Sequence, residues 1–295
     1  MRLADDVRRA VVYLGHGHGE HFVSRGTAFL LHHDEASYLV TAQHVAGKLG
    51  DAPFEIRINS KGGEAITITW DSEQDVHGWF PWFTHEDPTV DLAIMPFNID
   101  LKTPGFDYLY LSSEMALDEK WAKSEDIGCG MFCYAVGLFH LMQGQKRNLP
   151  VVHTGHVALM PSKDELIPVR DWKNPADIVQ VEGYLVEITN LAGLSGAPVF
   201  IRPEAEIHKI PFDRDGMMRD VVMPQATLFL LGVWQGSWTG PPDPAMAGRT
   251  KLTVPVGMGI VVPAERLSEL LDAPEVVAAR DHWKKAMDDG TAKMD

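Results

Sequence analysis

Up to about residue 262 the apolar positions of this chain fall in short runs: 10–14, 26–32, 38–41, 55–58, 65–70, 91–97, 129–136, 151–160, 184–188, 198–201, 228–235 and 257–262, with Gly, Pro and Asp between them. Runs this short, rich in β-branched and aromatic residues and bounded by turn formers, predict strands, and many such strands predict an all-β barrel or sandwich. The pattern changes after residue 262. The stretch Pro263-Ala264-Glu265-Arg266-Leu267-Ser268-Glu269-Leu270-Leu271 places apolar residues at i, i+3 and i+4 behind an N-terminal proline, which predicts an amphipathic helix. A second helix is predicted over 274–288. In the tail 273–295, Val276, Val277, Trp283 and Met287 recur at near-helical spacing, as expected of a helix packed back on the body.

The polar stretch 112–126 has little strand character and separates two strand-rich halves. The expected organisation is therefore 1–111, a first β unit; 112–126, a linker; 127–262, a second β unit; and 263–295, a helical end. Two connections are long, 161–183 and 202–225, the second containing Phe212-Asp213-Arg214-Asp215-Gly216 with turn chemistry; both are expected to be surface hairpins.

With 295 residues and 45% apolar content the chain can bury a full core. Lys and Arg total 26 against 41 Asp and Glu, a formal net charge of −15, so the surface repels phosphate backbones and anionic headgroups. No nucleic acid and no membrane is expected as a partner. Charges at Arg2, Asp5, Asp6, Arg8 and Arg9 interrupt any apolar stretch at the N-terminus, no run reaches membrane-spanning length, and a cytoplasmic location is expected. Cys129 and Cys133 share one apolar run. Four residues of strand span roughly 13 Å, beyond the Cα separation of about 7 Å that a disulfide allows, so no bridge is expected. His16, His18 and His21 lie in a glycine-rich stretch that suits a hairpin tip between the first two strands, and no metal site is assigned to them.

Chemistry concentrates in three segments. In Asn190-Leu191-Ala192-Gly193-Leu194-Ser195-Gly196-Ala197-Pro198-Val199-Phe200 a serine stands between glycines ahead of an apolar strand. Gly193 lets the backbone turn so that its own N–H and that of Ser195 converge on a developing oxyanion, and Gly196 leaves room for substrate. Thr41-Ala42-Gln43-His44-Val45 closes the strand run Tyr38-Leu39-Val40 with a histidine at its end, a junction suited to a general base. In Asp91-Leu92-Ala93-Ile94-Met95 an acid opens an apolar strand, and a carboxylate buried there calls for a partner such as an imidazole N–H. Asp87 is the competing acid, but it precedes Pro88 and reads as a turn residue.

Together the three segments resemble the trypsin-like, or chymotrypsin-fold, serine protease family, in which T-A-x-H, D-L-A and G-x-S-G-x-P-V occur in this order. Ser24-Arg25-Gly26-Thr27-Ala28-Phe29 and Tyr134-Ala135-Val136-Gly137 are similar to further family strands, and Gly257-Met258-Gly259-Ile260-Val261-Val262-Pro263 resembles a late strand of the bacterial HtrA-like proteases. The resemblance covers roughly residues 10–271. It implies two six-stranded antiparallel β-barrels with a C-terminal helical segment, and a catalytic triad of His44, Asp91 and Ser195 with Gly193 and Ser195 as oxyanion hole. It also implies a protein or peptide substrate and no cofactor or metal.

The chain departs from the digestive members of that family. Leu194 stands where they carry the acid that receives a cleaved N-terminus, and Thr189 stands six residues before the serine where an acid would hold Lys or Arg. The resemblance places the substrate pocket at Thr189, Trp234, Gln235, Gly236 and Gly257, and a small or medium apolar residue is expected before the scissile bond. A regulatory protein partner that orders residues 191–195 is expected. The alternatives are a protease fold kept as a binding module, and a related hydrolase of esters.

Overall fold

The computed structural model describes residues 5–50, 52–71, 82–97, 105–189, 192–202, 206–211, 218–223, 228–240 and 254–288. The first half is built from β1 (Val11–His16), β2 (Val23–His33), β3 (Ala36–Thr41), β4 (Phe54–Asn59), β5 (Ala65–Trp70), β6 (Phe83–Thr84), β7 (Ala93–Pro96) and β8 (Leu111–Ser112), with helix α1 (Gln43–Leu49) after β3. They form one eight-stranded sheet in the order β5-β4-β1-β2-β3-β7-β6, with β8 beside β2 in parallel. Six strands were expected here. The two extra ones, β6 and β8, are two residues long, and among the described residues the sheet does not close on itself.

A short helix, α2 (Glu119–Ser124), lies in the expected linker, its first turn held by Asp118, whose carboxylate accepts from Trp121 N at 2.6 Å. The second half contains β9 (Phe132–Gly137), β10 (Val151–Leu159), β11 (Ile167–Arg170), β12 (Ile178–Val181), β13 (Tyr184–Glu187), β14 (Pro198–Ile201), β15 (Glu206–Pro211), β16 (Met218–Met223), β17 (Phe229–Gly240) and β18 (Val254–Pro263). Six of these close a barrel in the order β10-β13-β18-β17-β14-β9, as the resemblance implies. The long connections carry the hairpins β11–β12 and β15–β16; the segment Phe212–Gly216 lies outside the described residues.

The strand runs look continuously apolar because both of their faces are covered. In the first half Val12, Leu14, Ala28 and Leu30 pack into the sheet's own interior with Leu39, Phe54 and Ile56. Their neighbours Val11, Tyr13, Phe29 and Leu31 point the other way, into an interface with Phe200, Leu230 and Val262 of the second half. The barrel interior holds Ala135, Val186, Leu194, Val199, Ile201, Leu231 and Trp234.

Helix α3 (Ala264–Leu271) buries Ala264, Leu267, Leu270 and Leu271, and α4 (Pro274–Asp288) adds Val276 to the same core. Of the apolar residues whose spacing predicts this packing, Val276 is buried and Val277 and Trp283 are half-buried, while the side chain of Met287 lies outside what is described. Arg280 and Lys284 of α4 lie 3.5 and 3.7 Å from Asp34, and Lys284 lies 3.3 Å from Glu35. Those two acids form the β2–β3 turn with φ of 46° and 64°, the left-handed pair that a two-residue hairpin loop requires.

Both cysteines are free; Cys129 is exposed, and burial pushes the Cys133 thiol up to about 12. The histidine-rich stretch forms the β1–β2 connection, where His18 Nε2 lies 3.5 Å from Glu55. Among the described residues no helix is long and apolar enough to cross a membrane, and no group of His, Cys, Asp and Glu is arranged to hold a metal ion.

Candidate active site

The register of β3 on β7 pairs Thr41 with Ala93, so His44, three residues after Thr41, and Asp91, two residues before Ala93, come face to face. His44 sits in the first turn of α1, 8% exposed, and Asp91 just ahead of β7, 2% exposed. Asp91 Oδ2 lies 2.6 Å from His44 Nδ1, and Asp91 Oδ1 accepts the His44 main-chain N–H at 2.8 Å. Since a carboxylate only accepts, Nδ1 carries a proton, and in the neutral ring Nε2 is left with its lone pair. Asp87 takes no part: its Oδ1 accepts from Thr89 N and Oγ1 at 2.9 and 2.7 Å, the turn role its sequence context suggests.

Ser195 lies on a tight turn closed by Ala197 N donating to Leu194 O at 2.7 Å. Gly196, at the third position, has φ +85°, the value a type II turn demands and glycine supplies. Leu194 is anchored in the barrel core. From the other side the turn is held by Trp234 O, which accepts from Gly196 N at 2.9 Å.

The serine turn belongs to the second half but is fastened to the first through Thr27 of β2. Thr27 N donates to Ser195 O at 2.9 Å, and Thr27 Oγ1 donates to Gly193 O at 2.8 Å while accepting from Leu138 N at 2.9 Å. Thr41 Oγ1 in turn donates to Thr27 O at 2.7 Å. A Cβ placed on Gly26 would lie 2.7 Å from Val45 of α1 and 3.2 Å from Ser195 O, which puts the serine against the helix that carries His44. Thr27→Val keeps the shape and removes the hydroxyl. The expected outcome is a loss of about 1–3 kcal/mol for each buried group left unpaired, read by thermal denaturation, with serine reactivity lowered about 10- to 100-fold.

Gly193 and Ser195 border a cavity. Ala192, a non-glycine at φ 105°, aims its carbonyl at His140 N at 3.3 Å. In a planar trans peptide the C=O and the following N–H point in opposite directions, so the Gly193 N–H is directed away from His140. Among the described residues nothing accepts the N–H of Gly193 or of Ser195. Both residues line a cavity of about 300 Å³ bounded by Arg25, Lys48, Leu138 and Gly236. Main-chain N–H groups without an acceptor are the donor type that stabilises an oxyanion, and the left-handed backbone at Ala192 costs about 1–3 kcal/mol.

Ser195 Oγ itself is turned to Gln235 O at 3.5 Å, the long limit of a hydrogen bond, rather than to the imidazole. Of the expected pocket residues, Gly236 lines the cavity, and Gly236 and Gly257 both have open space where a Cβ would stand. Thr189 is exposed at the end of β13. Trp234 corrects the expectation. It is 0% exposed, and its ring lies over Gly259 inside the barrel. Its side chain fills the core, and only its main chain serves the site.

The sequence did not single out Thr27 as the fastening point, Arg25, Lys48 and His140 as cavity walls, or His153. The last lies on β10 beside Thr189, whose main chain it meets. Burial holds its imidazole below the ordinary histidine range against the opposing pull of that hydrogen bond. Basic residues flanking two motif segments of an acidic chain were the available signal for Arg25 and Lys48; His153 carried none.

No family model matches the chain, and no curated protein is significantly similar to it. Among solved structures it is similar to the Rv3671c protease in its inactive form, at 16% identity over 90% of this chain and 88% of that one, with a TM-score of 0.42. The active form of the same protease, from M. tuberculosis, is matched at 16% identity over 90% and 80% of the two chains, with a TM-score of 0.44.

Proposed function

We propose that this chain is a serine endopeptidase of the trypsin-like class, hydrolysing peptide bonds through an acyl-enzyme on Ser195. The observation that carries the reading is the buried 2.6 Å contact between His44 Nδ1 and Asp91, together with a serine turn whose Gly193 and Ser195 line a cavity. In the reaction Ser195 Oγ rotates off Gln235 O toward His44, loses its proton to Nε2 and attacks the scissile carbonyl. The amides of Gly193 and Ser195 take up the negative charge of the tetrahedral intermediate, and Asp91 stabilises the imidazolium. His44 then protonates the leaving amine, and water releases the acyl group by the same path. With Thr189 and no acid at the expected position, Lys and Arg are not the preferred residues before the scissile bond; Gln235, Gly236 and Gly257 are the proposed pocket walls.

The test needs no known substrate, because a fluorophosphonate reacts only with an activated serine. Intact mass is expected to show one adduct on the wild-type protein and none on Ser195→Ala or His44→Ala. The second reading, a protease fold that binds without turnover, is favoured by the resting rotamer of Ser195; an unlabelled wild-type protein means either this or a latent enzyme awaiting its partner. Labelling that appears only with a partner protein would support regulation through residues 191–195, and full reactivity of the isolated chain would refute that regulation.

A further inference from the structure

Resting on that reading, we propose that the substrates carry an acidic side chain shortly after the scissile bond, held by Arg25 and Lys48. The chain as a whole has a net charge of −15. Its cavity at Ser195 nevertheless counts Arg25, Lys48 and the exposed His140 among its lining residues, and no Asp or Glu. Among the described residues neither Arg25 nor Lys48 makes an ion pair or hydrogen bond with the chain, so both cations are available to a ligand. Two positive charges without an ion pair among the described residues, at one concave site of an acidic chain, focus an attractive potential for anions there.

Their position selects the side of the substrate. The leaving amine must end beside the imidazole that protonates it. Lys48 lies four residues after His44 on α1, one helical turn along the same face. Arg25 directly precedes Gly26, which abuts Val45 of that helix and the Ser195 carbonyl. Both cations therefore border the leaving-group side of Ser195, while Gly236 and Ser237 of β17 line the cavity on another wall. Trp172, from the β11–β12 connection, packs over Gly47 next to Lys48, with a Cβ on Gly47 lying 2.9 Å from its ring.

The probe is a proteome-derived peptide library, with cleavage sites read by mass spectrometry after fluorophosphonate labelling has confirmed a reactive Ser195. Asp and Glu are expected to be enriched in the first two positions after the cut, about 2- to 30-fold over Asn and Gln, the range of two exposed ion pairs, and less at high salt. In the double variant Arg25→Glu with Lys48→Glu the preference should invert to Lys and Arg, a gain that a merely damaged protein would not show. Cleavage without acidic enrichment after the cut, or enrichment that persists in the double variant, overturns the proposal. Absence of label on Ser195 overturns it together with the reading on which it rests.

Discussion

Asp91→Asn is expected to slow phosphonylation of Ser195 by about 10⁴-fold, the size of effect that the wrong imidazole tautomer produces in a triad of this kind, with little change in the fold. The reason is that the asparagine amide has only one orientation open to it. Its oxygen must stay where Asp91 Oδ1 now accepts the His44 main-chain N–H at 2.8 Å, because the reverse would set two donors against each other in a buried site. Its NH₂ therefore faces Nδ1, which must become the acceptor. The ring proton then moves to Nε2, the nitrogen that has to take the proton of Ser195. Labelling rates with circular dichroism as the structural control decide the point; an unchanged rate would remove Asp91 from the machinery.

Gly196→Ala should be the most damaging small substitution near the site. At φ +85° a Cβ is strained, and it would collide with the Thr27 carbonyl and the Thr41 hydroxyl. Both atoms are already committed to each other on adjacent strands of one sheet, so neither yields cheaply. Backbone strain and overpacking together cost about 2–5 kcal/mol, a fall in Tm of about 5–15 °C, and the displaced Ser195 should lose its label. Gly62→Ala is the control, since a Cβ there meets only Ser60 Oγ at an ordinary 3.5 Å. Equal melting of the two variants would show that the turn is not held as described.

The triad candidates were legible because each stands at a change in local pattern: a histidine closing an apolar run, an acid opening one, a serine between glycines. The pairing of β3 with β7 then brings the first two together, a consequence of register that no single segment displays. The substrate pocket was less legible. Counting along β17 does not tell which face Trp234 occupies, because the ladder with β18 shifts register between Trp234 and Gly236 and that with β14 between Val199 and Phe200. Strands of two residues, such as β6 and β8, have no period to detect, and α2 is too short to show one. Arg25 and Lys48 reach Ser195 only through the tertiary fold. Nothing near them in sequence names the serine as their neighbour.

The threonine that fastens the serine turn has a bearing on the birth of the protein. Thr27, His44 and Asp91 leave the ribosome early, and the sheet that holds them is built almost wholly from the first half of the chain. The turn at Ser195 takes its shape from Trp234 as well as from Thr27, and the barrel that holds β17 closes only when β18 arrives to lie between it and β13. A nascent chain therefore carries His44 and Asp91 long before the turn at Ser195 is shaped, and a chain cut short before β18 would hold all three side chains without a closed barrel. On the proposed reading, the order of synthesis postpones reactivity until the barrel is complete.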